Sequence, residues 1–281
     1  MEKMIGIIGF GNMGSVIAER IKSKYKVLVF DKDNEKTKDS RGIEIKDNVV
    51  DLVKVADVII LAMKPQDFES ALSEIREYVD GKLIISIAAG RTTKYIYDNL
   101  LYPTGVRIIR AMPNLLGRIG KGATFLYKSS SANEKDIVFA EKLFGALGRT
   151  WRIEEGKEDR MDFVTAVSGS GPAICCYRIE SQSIDTHKMS AEQKKDLIAY
   201  LKEGAIAGGF NKKDGEALAE NIVEGVINLL NLSSITPQML REQITSKRGT
   251  TEAALEALNN GFSIEEAIQA AIRRAKELSR G

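Results

Sequence analysis

A chain of 281 residues with 43% hydrophobic and 28% charged side chains has an ordinary globular composition, long enough for two domains and needing neither disorder nor disulfide staples. Lys and Arg number 41 against 39 Asp and Glu, a net charge of +2 that argues against a dedicated nucleic-acid or anionic-membrane surface. The one histidine, His187, excludes a His-based triad or a multi-His metal site, and the adjacent Cys175 and Cys176 suit neither a disulfide framework nor a metal-ligand spacing, so no metal is expected.

The chain opens on an apolar strand, Met4 to Ile8, that runs straight into Gly9-Phe10-Gly11-Asn12-Met13-Gly14. In a G-x-G-x-x-G of this kind the first glycine allows the tight turn, the second lets backbone approach a pyrophosphate, and the third lets the next helix pack on the strand. Ser15 to Lys24 supplies that helix, and a second strand, Lys26 to Phe30, ends in Asp31, where an acid binds a ribose hydroxyl. A dinucleotide is therefore the expected cofactor. In the polar segment Lys32 to Asp47 the cations Lys32, Lys36, Lys38 and Arg41 either receive a 2′-phosphate or form a solvated face. Asp31 repels that phosphate, which favours NADH over NADPH.

Val49 to Val55 reads as a helix and Val58 to Ala62 as a buried central strand that stops at Met63-Lys64-Pro65, where proline turns the chain at the strand's carboxyl end. The apolar run Val58 to Met63 is too short to span a bilayer, and the N-terminal strand enters the fold without a cleavable signal; a cytoplasmic protein is expected. A helix over Phe68 to Tyr78 and a strand over Leu83 to Ile87 follow, ending in Ala88-Ala89-Gly90, small residues that suit a close-lying cofactor or a tight turn equally. Thr92 to Leu100 is helical, Val106 to Arg110 is a strand leading to Ala111-Met112-Pro113-Asn114, and Gly122 to Tyr127, Asn133 to Leu147 and Gly148 to Ile153 add strand, helix and edge strand. This alternation predicts an α/β first domain with a doubly wound, mainly parallel sheet over residues 1–155.

From 156 to 281 the period becomes helical throughout: Asp159 to Val167, Lys188 to Ile206, Lys212 to Leu230, Thr236 to Ile244, Thr250 to Asn259 and Ser263 to Ser279. An all-α second domain is expected. Two interruptions stand out. Ser168-Gly169-Ser170-Gly171-Pro172 restarts a helix, and Ser246-Lys247-Arg248-Gly249-Thr250-Thr251 begins another. Both leave unpaired N–H groups, which bind a carboxylate if they converge and are plain helix starts otherwise.

Taken in order, Gly9-Phe10-Gly11-Asn12-Met13-Gly14, Met63-Lys64-Pro65-Gln66, Ser86-Ile87-Ala88-Ala89-Gly90, Arg110-Ala111-Met112-Pro113-Asn114, Val167-Ser168-Gly169-Ser170-Gly171-Pro172-Ala173 and Gly249-Thr250-Thr251 resemble pyrroline-5-carboxylate reductase across almost the whole chain. The resemblance implies a Rossmann domain, a helical dimerisation domain interleaved with a second subunit into a homodimer or higher oligomer, and a site at the dimer boundary. It implies reduction of 1-pyrroline-5-carboxylate to L-proline with NAD(P)H. Met63, Lys64, Pro65, Ala88 and Asn114 are then expected on the nicotinamide side. The loop from Ser246 through Lys247, Arg248 and Gly249 to Thr250 is expected to hold the substrate carboxylate together with Ser170, and Thr251 is expected at the ring nitrogen. The chain departs from the family at Lys247-Arg248, where Pro-Gly is usual, and in a polar segment added between about Tyr177 and Asp196. These departures leave room for reduction of another cyclic imino acid, and loss of turnover would leave a dinucleotide-binding regulatory protein.

Overall fold

Short apolar runs separated by helices pair side by side because βαβ connections bury both faces of a parallel sheet. The computed structural model describes residues 3–38, 40 and 42–280; Arg41, one of the cations counted above, lies outside them. The strands are β1 (Met4–Ile8), β2 (Lys26–Phe30), β3 (Glu44–Ile45), β4 (Val58–Leu61), β5 (Leu83–Ser86), β6 (Arg107–Pro113), β7 (Gly122–Lys128) and β8 (Gly148–Ile153), in the order β3-β2-β1-β4-β5-β6-β7-β8. Each pairing from β3 to β6 is parallel. The order reverses between β1 and β4, the switch point at which open α/β sheets bind ligands beyond their carboxyl ends.

Helices α1 (Asn12–Ile21), α2 (Val49–Val55), α3 (Phe68–Ile75), α4 (Thr93–Asn99) and α5 (Glu134–Phe144) alternate with the strands. Leu52, Val53, Leu72, Ile75 and Ile96 of α2 to α4 form one core with Leu28, Ile59, Ile84 and Ile108 of the strands. Every residue of β4 and β5 is buried, the signature of a strand covered on both faces. Two features inside expected elements differ. The segment Lys32 to Asp47 contains a 3₁₀ turn, Asn34–Thr37, and the strand β3, whose two residues are exposed and carry no apolar alternation; β3 is held by its pairing to Leu28 and Val29. The helix expected over Phe68 to Tyr78 tightens into a 3₁₀ turn from Arg76.

By its contacts the chain divides into one unit of the residues up to Met112 with Thr124–Ala146 and Thr150–Glu158, and another of Pro113–Ala123, Leu147–Arg149 and the residues from Asp159 on. The second unit carries α6 (Arg160–Val164), a π turn (Thr165–Gly169), α7 (Gly171–Ser181), α8 (Ala191–Ala207), α9 (Lys212–Leu232), α10 (Pro237–Ile244), α11 (Thr250–Asn259) and α12 (Ile264–Arg280). Side-chain caps begin α8 at Ser190, α9 at Asn211 and α10 at Thr236, each satisfying a first-turn N–H. On α12 the stripe Ile264, Ala267, Ile268, Ala271, Ile272 and Ala275 is buried, as its spacing requires. The added polar segment is helical at both ends, since α7 runs to Ser181 and α8 starts at Ala191. Its His187 is exposed. Cys175 and Cys176 are free and buried in α7, and burial pushes the Cys175 thiol up to about 12, well away from a reactive thiolate. Among the described residues no helix is long and apolar enough to cross a membrane.

Candidate active site

Parallel register gathers one set of candidate residues. Ile8 lies opposite both Phe30 and Leu61, and Leu61 opposite Ser86, so the residues after β1, β2, β4 and β5 emerge on one edge. That edge collects Gly9 to Gly14, Asp31, Met63 to Pro65 and Ala88. Gly9 has φ +100°, and a Cβ there would stand 2.6 Å from the carbonyl carbon of Ala62 and the nitrogen of Met63. A Cβ on Gly14 would stand 2.1 Å from the Gly9 oxygen. Only glycine fits at either place. At Gly11 a Cβ would meet nothing within 4 Å, and Gly11 caps α1 without any side-chain bond. The turn is therefore closed where backbone must pack and open beside the N-terminus of α1. These residues fit a pyrophosphate.

Asp31 is 8% exposed. Its Oδ2 accepts the Phe10 N–H at 2.6 Å, and its Oδ1 accepts the Asp33 N–H at 2.9 Å and the Lys36 ammonium at 3.3 Å. Burial by itself would raise this carboxyl. The two backbone N–H groups and Lys36 together outweigh burial and hold it below the usual range. The acid thus braces the glycine turn through Phe10 and stays charged. Nearby cations are matched by local acids: Lys32 with Asp67 at 2.6 Å and Lys38 with Glu35 at 2.6 Å. Lys64 is exposed and extended ahead of Pro65, as a residue before proline prefers. The Pro65 carbonyl accepts from Arg91, and the N–H of buried Ala88 donates to the Ser86 hydroxyl oxygen at 3.3 Å.

In the helical unit the second set forms around Ser170, which is fully buried. Thr251 Oγ1 donates to Ser170 Oγ at 3.1 Å, and the Thr250 and Ser170 hydroxyls lie 3.4 Å apart. Thr250 and Thr251 open α11 behind Gly249, which offers no side-chain cap. A Cβ on Gly249 would stand 2.9 Å from the Ser246 carbonyl oxygen, so the loop folds over itself with little room for a side chain there. Two of the loop amides are already engaged. Gly249 N–H donates to the Ser246 carbonyl at 2.9 Å, and Arg248 N–H donates to Glu252 Oε2 at 2.6 Å. Beyond these two, the first turn of α11 contributes the N–H groups that a helix start leaves without intrahelical partners. Ser246, Lys247 and Arg248 are exposed, and Arg248 adopts φ 58°, the left-handed region.

Asn114 belongs to this helical unit. It is buried, its Oδ1 accepts the Ala123 N–H at 3.1 Å and its Nδ2 donates to the Ser168 carbonyl at 3.3 Å, so both ends of the amide are held by backbone. Sequence reasoning missed several supporting residues. Glu252 and Arg274 grip Arg248 from two sides, Arg274 Nε donating to its carbonyl at 2.7 Å. Glu252, three residues after Gly249, carries the spacing of a capping acid; Arg274, on another helix, carries no local signal. In the other unit Glu158 accepts from the Thr93 N–H at 2.6 Å, the Thr93 hydroxyl at 2.8 Å and the buried Arg110 at 3.2 Å. Among the described residues no group of three or more His, Cys, Asp or Glu side chains is placed to hold a metal ion.

Residues 4–90 match the family model described as NADP oxidoreductase coenzyme F420-dependent, and residues 196–278 match that described as pyrroline-5-carboxylate reductase dimerisation. The pyrroline-5-carboxylate reductase of Haemophilus influenzae is 33% identical over 290 residues, covering 98% of this chain and 97% of that protein. Pyrroline-5-carboxylate reductase 1 of Bacillus spizizenii is 31% identical over 294 residues, covering 99% and 90%. The solved pyrroline-5-carboxylate reductase of Coxiella burnetii superposes over the whole of both chains with a TM-score of 0.65 and 28% identity.

Proposed function

Because this chain belongs to the pyrroline-5-carboxylate reductase family, we propose that it reduces the C=N bond of 1-pyrroline-5-carboxylate to give L-proline, with NAD(P)H as reductant. The observation that carries the reading onto these residues is the buried Ser170–Thr250–Thr251 hydroxyl cluster at the start of α11. The reduced nicotinamide, when bound, supplies the hydride. Gly9 to Gly14 seat the pyrophosphate, and Met63, Lys64, Pro65 and Ala88 line the nicotinamide side. Thr250, Thr251 and Glu252 offer first-turn amides to the substrate carboxylate.

The proton of Thr251 is committed to Ser170, so toward a ligand its hydroxyl presents lone pairs. Such a group accepts the N–H of a protonated cyclic imine and orients its carbon for attack. Hydride addition to C=N⁺–H yields the secondary amine without a further proton, which is why positioning suffices and no histidine is needed. NADH is the favoured reductant. Supporting this, the charged, buried Asp31 opposes a 2′-phosphate, and the neighbouring Lys32 and Lys38 are matched by acids. Assembly is proposed as a homodimer through the helical unit, where Ile206, Leu232, Met239 and Phe262 leave large apolar side chains exposed.

The purified chain is assayed for oxidation of NADH and NADPH with 1-pyrroline-5-carboxylate and other cyclic imines, proline being identified as product. Cofactor binding without imine-dependent oxidation would overturn the enzyme in favour of a dinucleotide-binding regulator. Turnover of a different cyclic imine alone would move the substrate.

A further inference from the structure

Asn114 stands in the Ala-Met-Pro-Asn stretch, where the resemblance puts it beside the nicotinamide. Its bonds point elsewhere. In an α-helix the carbonyl of Ser168 would take its hydrogen bond from Pro172, four residues on, which has no N–H; the α ladder is therefore interrupted here. The chain widens into the π turn Thr165–Gly169 at this point, a geometry that accommodates the mismatch at the cost of regular bonding. Ser168 is fully buried, so its carbonyl must be satisfied by protein groups and not by water. Asn114 Nδ2 donates to it at 3.3 Å, while the Ala123 N–H on Oδ1 fixes which way the amide faces. Two residues beyond Ser168 is Ser170, the acceptor of the Thr251 hydroxyl.

We propose that Asn114 is a positioning residue for the imine-binding hydroxyls: its Nδ2 donates to the Ser168 carbonyl where the π turn and Pro172 interrupt the α ladder, and so holds Ser170 where it orients Thr251. Its effect on the reaction passes through Thr251 and not through the cofactor. The proposal rests on the reductase reading for its kinetic consequence, whereas its structural part stands without it.

The test pairs Asn114→Ala and Asn114→Asp with Thr251→Val in the full-length protein. Asn114→Asp retains the acceptor for Ala123 and puts a carboxylate oxygen in place of the donor, which gives a second variant if the alanine one fails to fold. Each variant is expected to lower kcat about 10-fold in the wild-type background and less than about 2-fold in the Thr251→Val background, the non-additivity of residues acting as a unit. The Kd for NADH, read by fluorescence titration, should stay within about 2-fold if the effect passes through Thr251. Amide hydrogen exchange of the 165–176 segment should rise in both variants while that of the 9–14 turn stays put. An equal loss of kcat in the two backgrounds, or a weakening of NADH binding in step with kcat, would overturn the proposal. Unchanged exchange over 165–176 would overturn it whether or not the enzyme turns over, so its failure is distinguishable from failure of the reductase reading.

Discussion

Arg248 combines a departure from the family sequence with a backbone conformation that a side chain resists. At φ 58° its Cβ crowds the following carbonyl oxygen, which costs a non-glycine residue about 1–2 kcal/mol. Glu252 and Arg274 hold the residue there by its own N–H and carbonyl, and the guanidinium is exposed. Arg248→Gly removes the crowding and retains both backbone bonds, against roughly 0.5–1 kcal/mol of extra chain entropy in the unfolded state. The net expectation is a gain of about 0.5–1 kcal/mol. Arg248→Ala keeps the strain and should gain nothing, so the two variants separate backbone from charge. For activity, an exposed cation beside a bound carboxylate contributes about 0.2–1 kcal/mol, or roughly a 1.5–5-fold rise in KM for the imino acid in both variants, with kcat unchanged. Urea unfolding at one protein concentration measures the first effect, because an oligomer's stability depends on concentration, and steady-state kinetics measure the second. Equal stability of the glycine and alanine variants would refute the strain argument. A KM rise confined to the glycine variant would assign the substrate effect to loop shape instead of the guanidinium.

Thr251→Val preserves shape and removes the hydroxyl that bonds Ser170; kcat/KM should fall by about 1–3 kcal/mol, with NADH affinity nearly unchanged, and full activity would remove Thr251 from the mechanism. Asp31→Ser should narrow the preference for NADH, and a wild-type efficiency higher with NADPH would show that the local cations outweigh the acid. Asp31 also makes a pH prediction. Its folded pKa is lowered, so its stabilisation is complete above the unfolded value near about 3.9 and is lost as pH falls through the folded one; the stability gap between wild type and Asp31→Asn should be widest at neutral pH and narrow below about pH 4 in acid titrations of unfolding.

Much of the architecture was legible because it is periodic or chemically forced. Unbroken apolar runs such as Val58 to Leu61 announce a doubly covered strand, the α12 stripe announces a packed helix, and Gly9 and Gly14 sit where any Cβ collides. The short strand Glu44–Ile45 escaped because its pairing is supplied by a neighbour and its side chains face solvent. The same holds at the site. Motif spacing singles out Asp31 and the two helix starts that carry Ser170 and Thr251, for turns and helix starts are local; the part given to Thr251 comes from the family resemblance. What those groups are bonded to is decided by residues far off in the chain: Phe10 on Asp31, Ser170 against Thr251, Arg274 on Arg248 and Asn114 on Ser168. Hydrogen bonds between elements obey no sequence period, so whether a polar residue meets a ligand or braces the backbone beneath one is settled only when the chain is folded.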